Sequence, residues 1–229
     1  MEYLFNSFSA ATSLIFGFDP EVYFIVWTSV RISLIATILA AVLGIPLGVL
    51  ISLNRFRGKG AAILILNTLM ALPTVVVGLF FYALLSRRGI FGDFGLLYTP
   101  WGVIIGELFL ALPIVVNYTI SAVQGTDKRL LLTCKSLGAS AIQEASIILK
   151  EARFAVMAAV VAGFGRIIAE VGVAMMLGGN IKGFTRTMTT AIALETSKGE
   201  FELGLALGIL LLAVAFGVNG ALYKIQKGK

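Results

Sequence analysis

The sequence predicts an all-α integral membrane protein with about five membrane-spanning helices and one long polar loop. Composition is the first reason. Of 229 residues 59% are hydrophobic and 13% charged, with a mean hydropathy of +0.98, whereas soluble domains run near ~45–50% apolar and ~25% charged. The second is the distribution of that apolarity, which falls into five stretches of about the ~20 residues a bilayer crossing needs. The third is residues 126–153, TDKRLLLTCKSLGASAIQEASIILKEAR, the longest part of the chain unsuited to hydrocarbon.

In order, residues 1–20 form an N-terminal interfacial segment, with Leu4, Phe8, Leu14 and Ile15 at the spacing of a short helix that ends at Gly17 and Pro20. No positive n-region precedes its apolar part, so a cleaved signal peptide is not expected. The first span, 22–53, carries Arg31 near its start and Gly44, Pro46 and Gly48 in its last third, a pattern for a tilted or kinked helix that a neighbour can approach closely. A basic loop, Asn54 to Lys59, leads to a second span at 61–86, which includes Pro73 and Gly78. A glycine-rich loop over 87–100 precedes the third span at 101–124, with Glu107, Pro113 and Asn117 inside it. The fourth span, 154–177, holds Arg166 and Glu170; a Gly/Thr-rich polar stretch with a short helix near 188–196 follows; the fifth span is 201–223. The body is thus one membrane domain over 21–223, closed by a basic tail at 224–229.

Five spans place the termini on opposite sides, and the charge bias chooses the sides. Eleven cations (Arg55, Arg57, Lys59, Lys128, Arg129, Lys135, Lys150, Arg153, Lys224, Lys227, Lys229) oppose five (Arg87, Arg88, Lys182, Arg186, Lys198). The richer side is expected to be cytoplasmic. The N-terminus is then outside, the C-terminus inside, and the polar stretch cytoplasmic, in a multi-pass protein of the cell membrane.

Several functions are excluded. With no histidine and a single cysteine, there is no zinc, haem or iron–sulfur ligand set and no Ser-His or Cys-His pair. No G-x4-G-K-[ST] run occurs, so the chain carries no P-loop of its own. The net charge of +6 is accounted for by loops at a membrane, since no basic run is interleaved with aromatics as a nucleic-acid surface would be.

The polar stretch reads as two helices about a sharp turn. Thr126 or Asp127 can cap the first, whose Leu130, Leu131, Cys134 and Leu137 share one face. Gly138 can end it in the left-handed conformation, and Ser140 with Gln143 forms a capping box for the second. Such an element is either an amphipathic connector on lipid headgroups or a docking element for a soluble partner. Within the spans, Arg166 and Glu170 are four apart and can pair. Charges in hydrocarbon face a protein interior or a wet path, so the pair either fixes helix packing or presents Arg166 to an anion, for which a guanidinium fork is well shaped. Glu107 is a second available partner for Arg166. The run Gly178–Thr187 is either an ordinary turn-rich loop or a gate whose backbone amides and threonine hydroxyls can meet an anion.

The polar stretch resembles the coupling loop of bacterial ABC importer permeases, E-A-A-x3-G-x9-I-x-L-P. Aligned on Gly138, Leu132, Thr133 and Cys134 fall under E-A-A and Ile148 under the isoleucine, within a family-typical Ser-Leu-Gly-Ala-Ser that includes Ala139. Residues 164–190 resemble the signature of the molybdate, tungstate and sulfate permeases: Phe164-x-Arg166-x3-Glu170-x-Gly172, then Gly179-Asn180-Ile181-x-Gly183-x-Thr185-x-Thr187. Ala169, Val171, Gly178, Lys182 and Met188-Thr189 replace the usual Gly, Phe, Ala, Pro and Leu-Pro, and with the five-span layout these departures resemble the tungstate-type permeases most.

That resemblance implies the type I ABC importer permease fold and a transport role, with no catalytic residue on this chain. It implies a homodimer, two copies of an ABC ATPase subunit that hold ATP and Mg, and an extracytoplasmic oxyanion-binding protein. It assigns Leu132, Thr133, Cys134, Gly138, Ala139 and Ile148 to coupling, and Arg166, Glu170, Gly179, Asn180, Gly183, Thr185 and Thr187 to the translocation path or its gate. Tungstate is the implied cargo, with molybdate or sulfate as the neighbouring alternatives and a non-transporting membrane scaffold as the alternative of a different class.

Overall fold

A computed structural model of the chain describes residues 2–227, which form eleven helices and one 3-10 turn. α1 (Glu2–Phe16) leads through Gly17 and Phe18 into α2 (Pro20–Leu53). Asp19 starts α2 by accepting from the Glu21 and Val22 amides, with Pro20 in the first turn, where its missing N–H costs nothing. Over 34 residues, at ~1.5 Å each, α2 is the longest element, and Pro46 lies within it without ending it.

The expected second span is not one helix. α3 (Lys59–Met70) and α4 (Thr74–Leu85) meet at 98°. Pro73 has no N–H to continue the ladder and forces Leu72 out of the helical region, so the turn closes there. After a 3-10 turn at Gly92–Phe94, α5 (Pro100–Gln124) runs unbroken with Thr99 as its cap. The expected fourth span is also divided: α8 (Arg153–Ile168) and α9 (Gly172–Gly178) are bent by 62° across Ala169–Val171. No proline causes this break. Glu170 instead turns its carboxylate onto the Gly172 and Val173 amides, at 2.8 and 3.3 Å, and competes with the helical carbonyls for them. α10 (Met188–Lys198) and α11 (Phe201–Lys227) complete the chain, and Lys224 and Lys227 continue α11 rather than forming a separate tail.

Among the described residues three helices are long and apolar enough to cross a membrane, or up to five when each bent pair is one span. Their packing depends on small residues. A Cβ at Gly48 of α2 would stand 2.7 Å from Thr119 Cβ and 2.9 Å from the Val116 carbonyl oxygen of α5, so only glycine admits this approach. One apolar core joins α2, α4, α5 and α9 through Ile32, Val77, Val115, Val173 and Leu177. A second joins α2, α8, α10 and α11 through Ile25, Phe164, Met188 and Leu207. Asn117 of α5 donates to Asn67 Oδ1 and lies 3.2 Å from Met70 Sδ, which fastens α3 to α5 by an amide bridge.

The polar stretch folds into α6 (Lys128–Ser136) and α7 (Ala141–Glu151). Asp127 caps α6, Gly138 takes φ +74° between the helices, and Ser140 and Gln143 form the capping box on α7. Leu137 departs from the expected apolar face. It lies 82% exposed, because α6 ends at Ser136 and the turn swings Leu137 outward.

Candidate functional site

Two places gather the residues singled out above: the α6–α7 loop and the region where both helix breaks meet.

In the loop, Ile148 of α7 is buried against Val49 of α2 and Val123 of α5, with Leu53, Leu131 and Leu149 around it. This anchors α7 beneath the ends of two long helices. Cys134 is also buried, while Thr133 and Gly138 are exposed and Ala139 is half-buried. Leu132, Leu137 and Ile142 stand 64%, 82% and 83% exposed on a segment otherwise rich in lysine, serine and glutamate. The loop therefore has an inner edge bound to the spans and an outer edge of three uncovered apolar side chains.

At the breaks, Arg166 Nη1 donates to Glu170 Oε2 at 2.8 Å. The pair forms across the end of α8 rather than along a helix, because Glu170 lies beyond the last helical turn. Glu170 is thus held three ways: by Arg166, by the first amides of α9, and by Thr189 of α10, whose hydroxyl donates to the Glu170 carbonyl at 2.7 Å. Its side chain is 4% exposed, whereas that of Arg166 is 41% exposed. Glu107 is not a partner of Arg166. It is buried in α5 near Ser33 of α2, and its Oε2 is unpartnered among the described residues. The guanidinium instead reaches the carboxylate one turn along its own chain.

The Gly178–Thr187 run is tied inward. Gly179 (φ +70°) packs so close to Tyr98 that a Cβ would fall 2.8 Å from its ring. The Tyr98 amide donates to the Leu177 carbonyl. Asn180 also has positive φ, at 50°, and its buried Oδ1 has no partner among the described residues. The fully buried Thr185 accepts from the Ile181 amide and donates to the Gly178 carbonyl, closing the turn on itself. Gly183 makes the sharp reversal at φ +72°, with open space around it. Thr187 caps α10 in a box with Thr190, and the next amide, Met188, donates to Ser29 of α2. The two cations have carboxylate partners: Lys182 pairs with Glu21 at 2.7 Å, and Arg186 lies 3.7 Å from Glu21 and 3.8 Å from Glu195.

Sequence reasoning passed over Ser33, Thr74 and Thr189. Ser33 had a legible signal, since Ser29, Ser33 and Thr37 recur every fourth residue along an apolar helix. Thr74 follows Pro73 at a helix start. Thr189 had none.

The family model described as the binding-protein-dependent transport system inner membrane component matches residues 44–228. The chain belongs to this family. Over 227 residues it is 40% identical to the tungstate uptake system permease protein TupB of Peptoclostridium acidaminophilum, covering 99% of this chain and 100% of that one. It is 42% identical to the protein of the same description from Campylobacter jejuni, covering 99% and 95%. The molybdenum transport system permease protein ModB of Escherichia coli is more distant, at 29% over 80% of this chain and 83% of its own. In fold the chain resembles an inward-facing MetNI methionine ABC transporter, with TM-score 0.74 at 17% identity over 90% of this chain and 96% of that one. The fold is therefore that of an ABC importer permease, and the chain is a multi-pass membrane protein.

Proposed function

We propose that the chain is the permease subunit of an ATP-driven oxyanion importer whose cargo is tungstate. The observation that carries this is identity of 40% and 42%, over 99% of the chain, to two permeases of tungstate uptake systems, against 29% for the molybdenum permease. The loop geometry supports the coupling half. An outer edge of Leu132, Leu137 and Ile142 suits a groove on a soluble ATPase, and Ile148 carries any movement of that edge into α2 and α5.

The working assembly is two copies of the chain, two ATPase subunits holding ATP and Mg, and an extracytoplasmic binding protein that delivers the anion. The α6–α7 loop and the C-terminus face the cytoplasm, in keeping with the excess of cations on that side. ATP closes the ATPases, the paired loops approach each other, and the path opens outward; hydrolysis returns it inward. Arg166 is the cation that the anion meets on the way, and the Gly178–Thr187 turn, fastened by Thr185 and Thr187, forms the rigid lip above it.

The test is ATPase activity of the assembled transporter in liposomes with its binding protein, titrated with tungstate, molybdate and sulfate. Stimulation by tungstate at the lowest concentration is expected. Stimulation by molybdate or sulfate in preference would reassign the cargo, and failure to associate with an ATPase would overturn the permease reading.

A further inference from the structure

The two helix breaks face each other. A Cβ on Gly172, the first residue of α9, would stand 3.0 Å from Thr74 Oγ1 and 3.3 Å from Glu170 Oε1. Thr74, the first residue of α4, therefore shares one small volume with the carboxylate that holds Arg166. Thr74 is half-buried, and its hydroxyl has no partner among the described residues. Arg166 uses one of its five N–H donors, the Nη1 bond to Glu170, and has four more on a partly exposed guanidinium. Interrupted helices in membrane transporters expose backbone and hydroxyl groups only where they are covered by protein or line a cavity.

We propose that the breaks enclose a transient subsite for a tetrahedral oxyanion, with Arg166 as its charged contact, Thr74 as its hydroxyl contact and Glu170 as a built-in competitor that keeps it weak. This rests on the oxyanion-import reading above. Glu170 does the competing because its Oε2 already takes the guanidinium while its Oε1 is fixed to the α9 amides. An arriving anion must displace or share that bond beside a fixed negative charge. A path has to release what it binds, and an internal carboxylate that retakes the arginine provides the release. Glu170→Gln separates the two jobs of this side chain. The glutamine oxygen still accepts from Gly172 and Val173, so the break persists, while the competing charge is gone.

The experiment is equilibrium dialysis of tungstate against the assembled permease–ATPase complex in nanodiscs, without binding protein or nucleotide, with bound tungsten quantified by mass spectrometry. ATPase turnover with binding protein is measured in parallel. Saturable binding is expected for the wild type. Thr74→Val weakens it roughly tenfold, the scale of a lost hydrogen bond to an ion, and Thr74→Ser restores it. Arg166→Gln abolishes it. Glu170→Gln tightens it by about fivefold or more and lowers KM and kcat together. Wild-type complex that binds no tungstate yet is stimulated by it overturns the subsite and leaves the import reading standing; loss of both overturns the two together. Unchanged binding in Thr74→Val removes Thr74 from the site even if Arg166→Gln fails to assemble, and weaker binding in Glu170→Gln overturns the competitor role.

Discussion

Leu132, Leu137 and Ile142 of the α6–α7 loop stand 64–83% exposed, whereas Thr185, Thr187, Thr189 and Thr190 of the stretch entering α10 are buried and hydrogen-bonded. Both stretches carry motifs of the family, yet they hold their side chains in opposite ways. The loop leaves apolar groups uncovered beside a firm anchor, an arrangement that a protein partner would relieve. The threonine stretch leaves little polar capacity for a ligand, since its hydroxyls are spent on capping α10, closing the 178–185 turn and holding Glu170. On the function proposed above, the glycine- and threonine-rich run with two cations would be a frame, and the groups that would meet an anion are Arg166 and Thr74.

Four variants break or sharpen this contrast. The largest effect is expected from Leu137→Asp with Ile142→Asp. Both side chains are exposed, so the melting temperature of the purified chain stays within a degree or two. Association with the ATPase falls by roughly a hundredfold or more in a pull-down titration, as for two apolar anchors at an interface centre. Unaltered association would make the loop a lipid-surface connector. Next is Thr185→Val, which removes a buried hydroxyl that partners the Ile181 N–H and the buried Gly178 C=O. It should cost about 2–4 kcal/mol, read as a lowered thermal midpoint in detergent, with ATPase association intact. Gly138→Val places a β-branched residue at φ +74° and should cost about 1–2 kcal/mol locally. Its expected readout is weaker substrate stimulation of ATPase activity without loss of fold. The smallest effect belongs to Lys182→Ala. Its pair with Glu21 joins a 66% exposed side chain to a 35% exposed one, which at such exposure contributes about 0–1 kcal/mol. A melt shift beyond a few degrees would show that the outer ion pairs, and not the threonines, hold the turn.

Much of the fold was legible because its causes are local. Hydropathy and length located the apolar segments that make up five candidate spans, and Asp127, Gly138 and the Ser140–Gln143 box marked the helices of the polar stretch where they are found. Two spans were read as continuous when they are broken. Pro73 was a visible cue for the first. The second break depends on Glu170 choosing amides of α9 over a place in the helix, a choice made by its neighbours. Arg166–Glu170 pairing was legible from spacing, but the exclusion of Glu107 from it was not.

The sequence by itself determined the class of protein, the number of apolar segments, the starts of α6 and α7 and the presence of an Arg–Glu pair, since each follows from the chemistry of residues within one or two turns. Tertiary structure alone decided that the two breaks meet, that Thr74 stands beside the Glu170 carboxylate, that Ile148 is an anchor while Leu137 and Ile142 are uncovered, and that the threonine run faces inward. These depend on which face of each helix is covered. That is fixed by glycine-permitted approaches such as Gly48 on Thr119 and by contacts between residues far apart in the chain, which no local pattern contains.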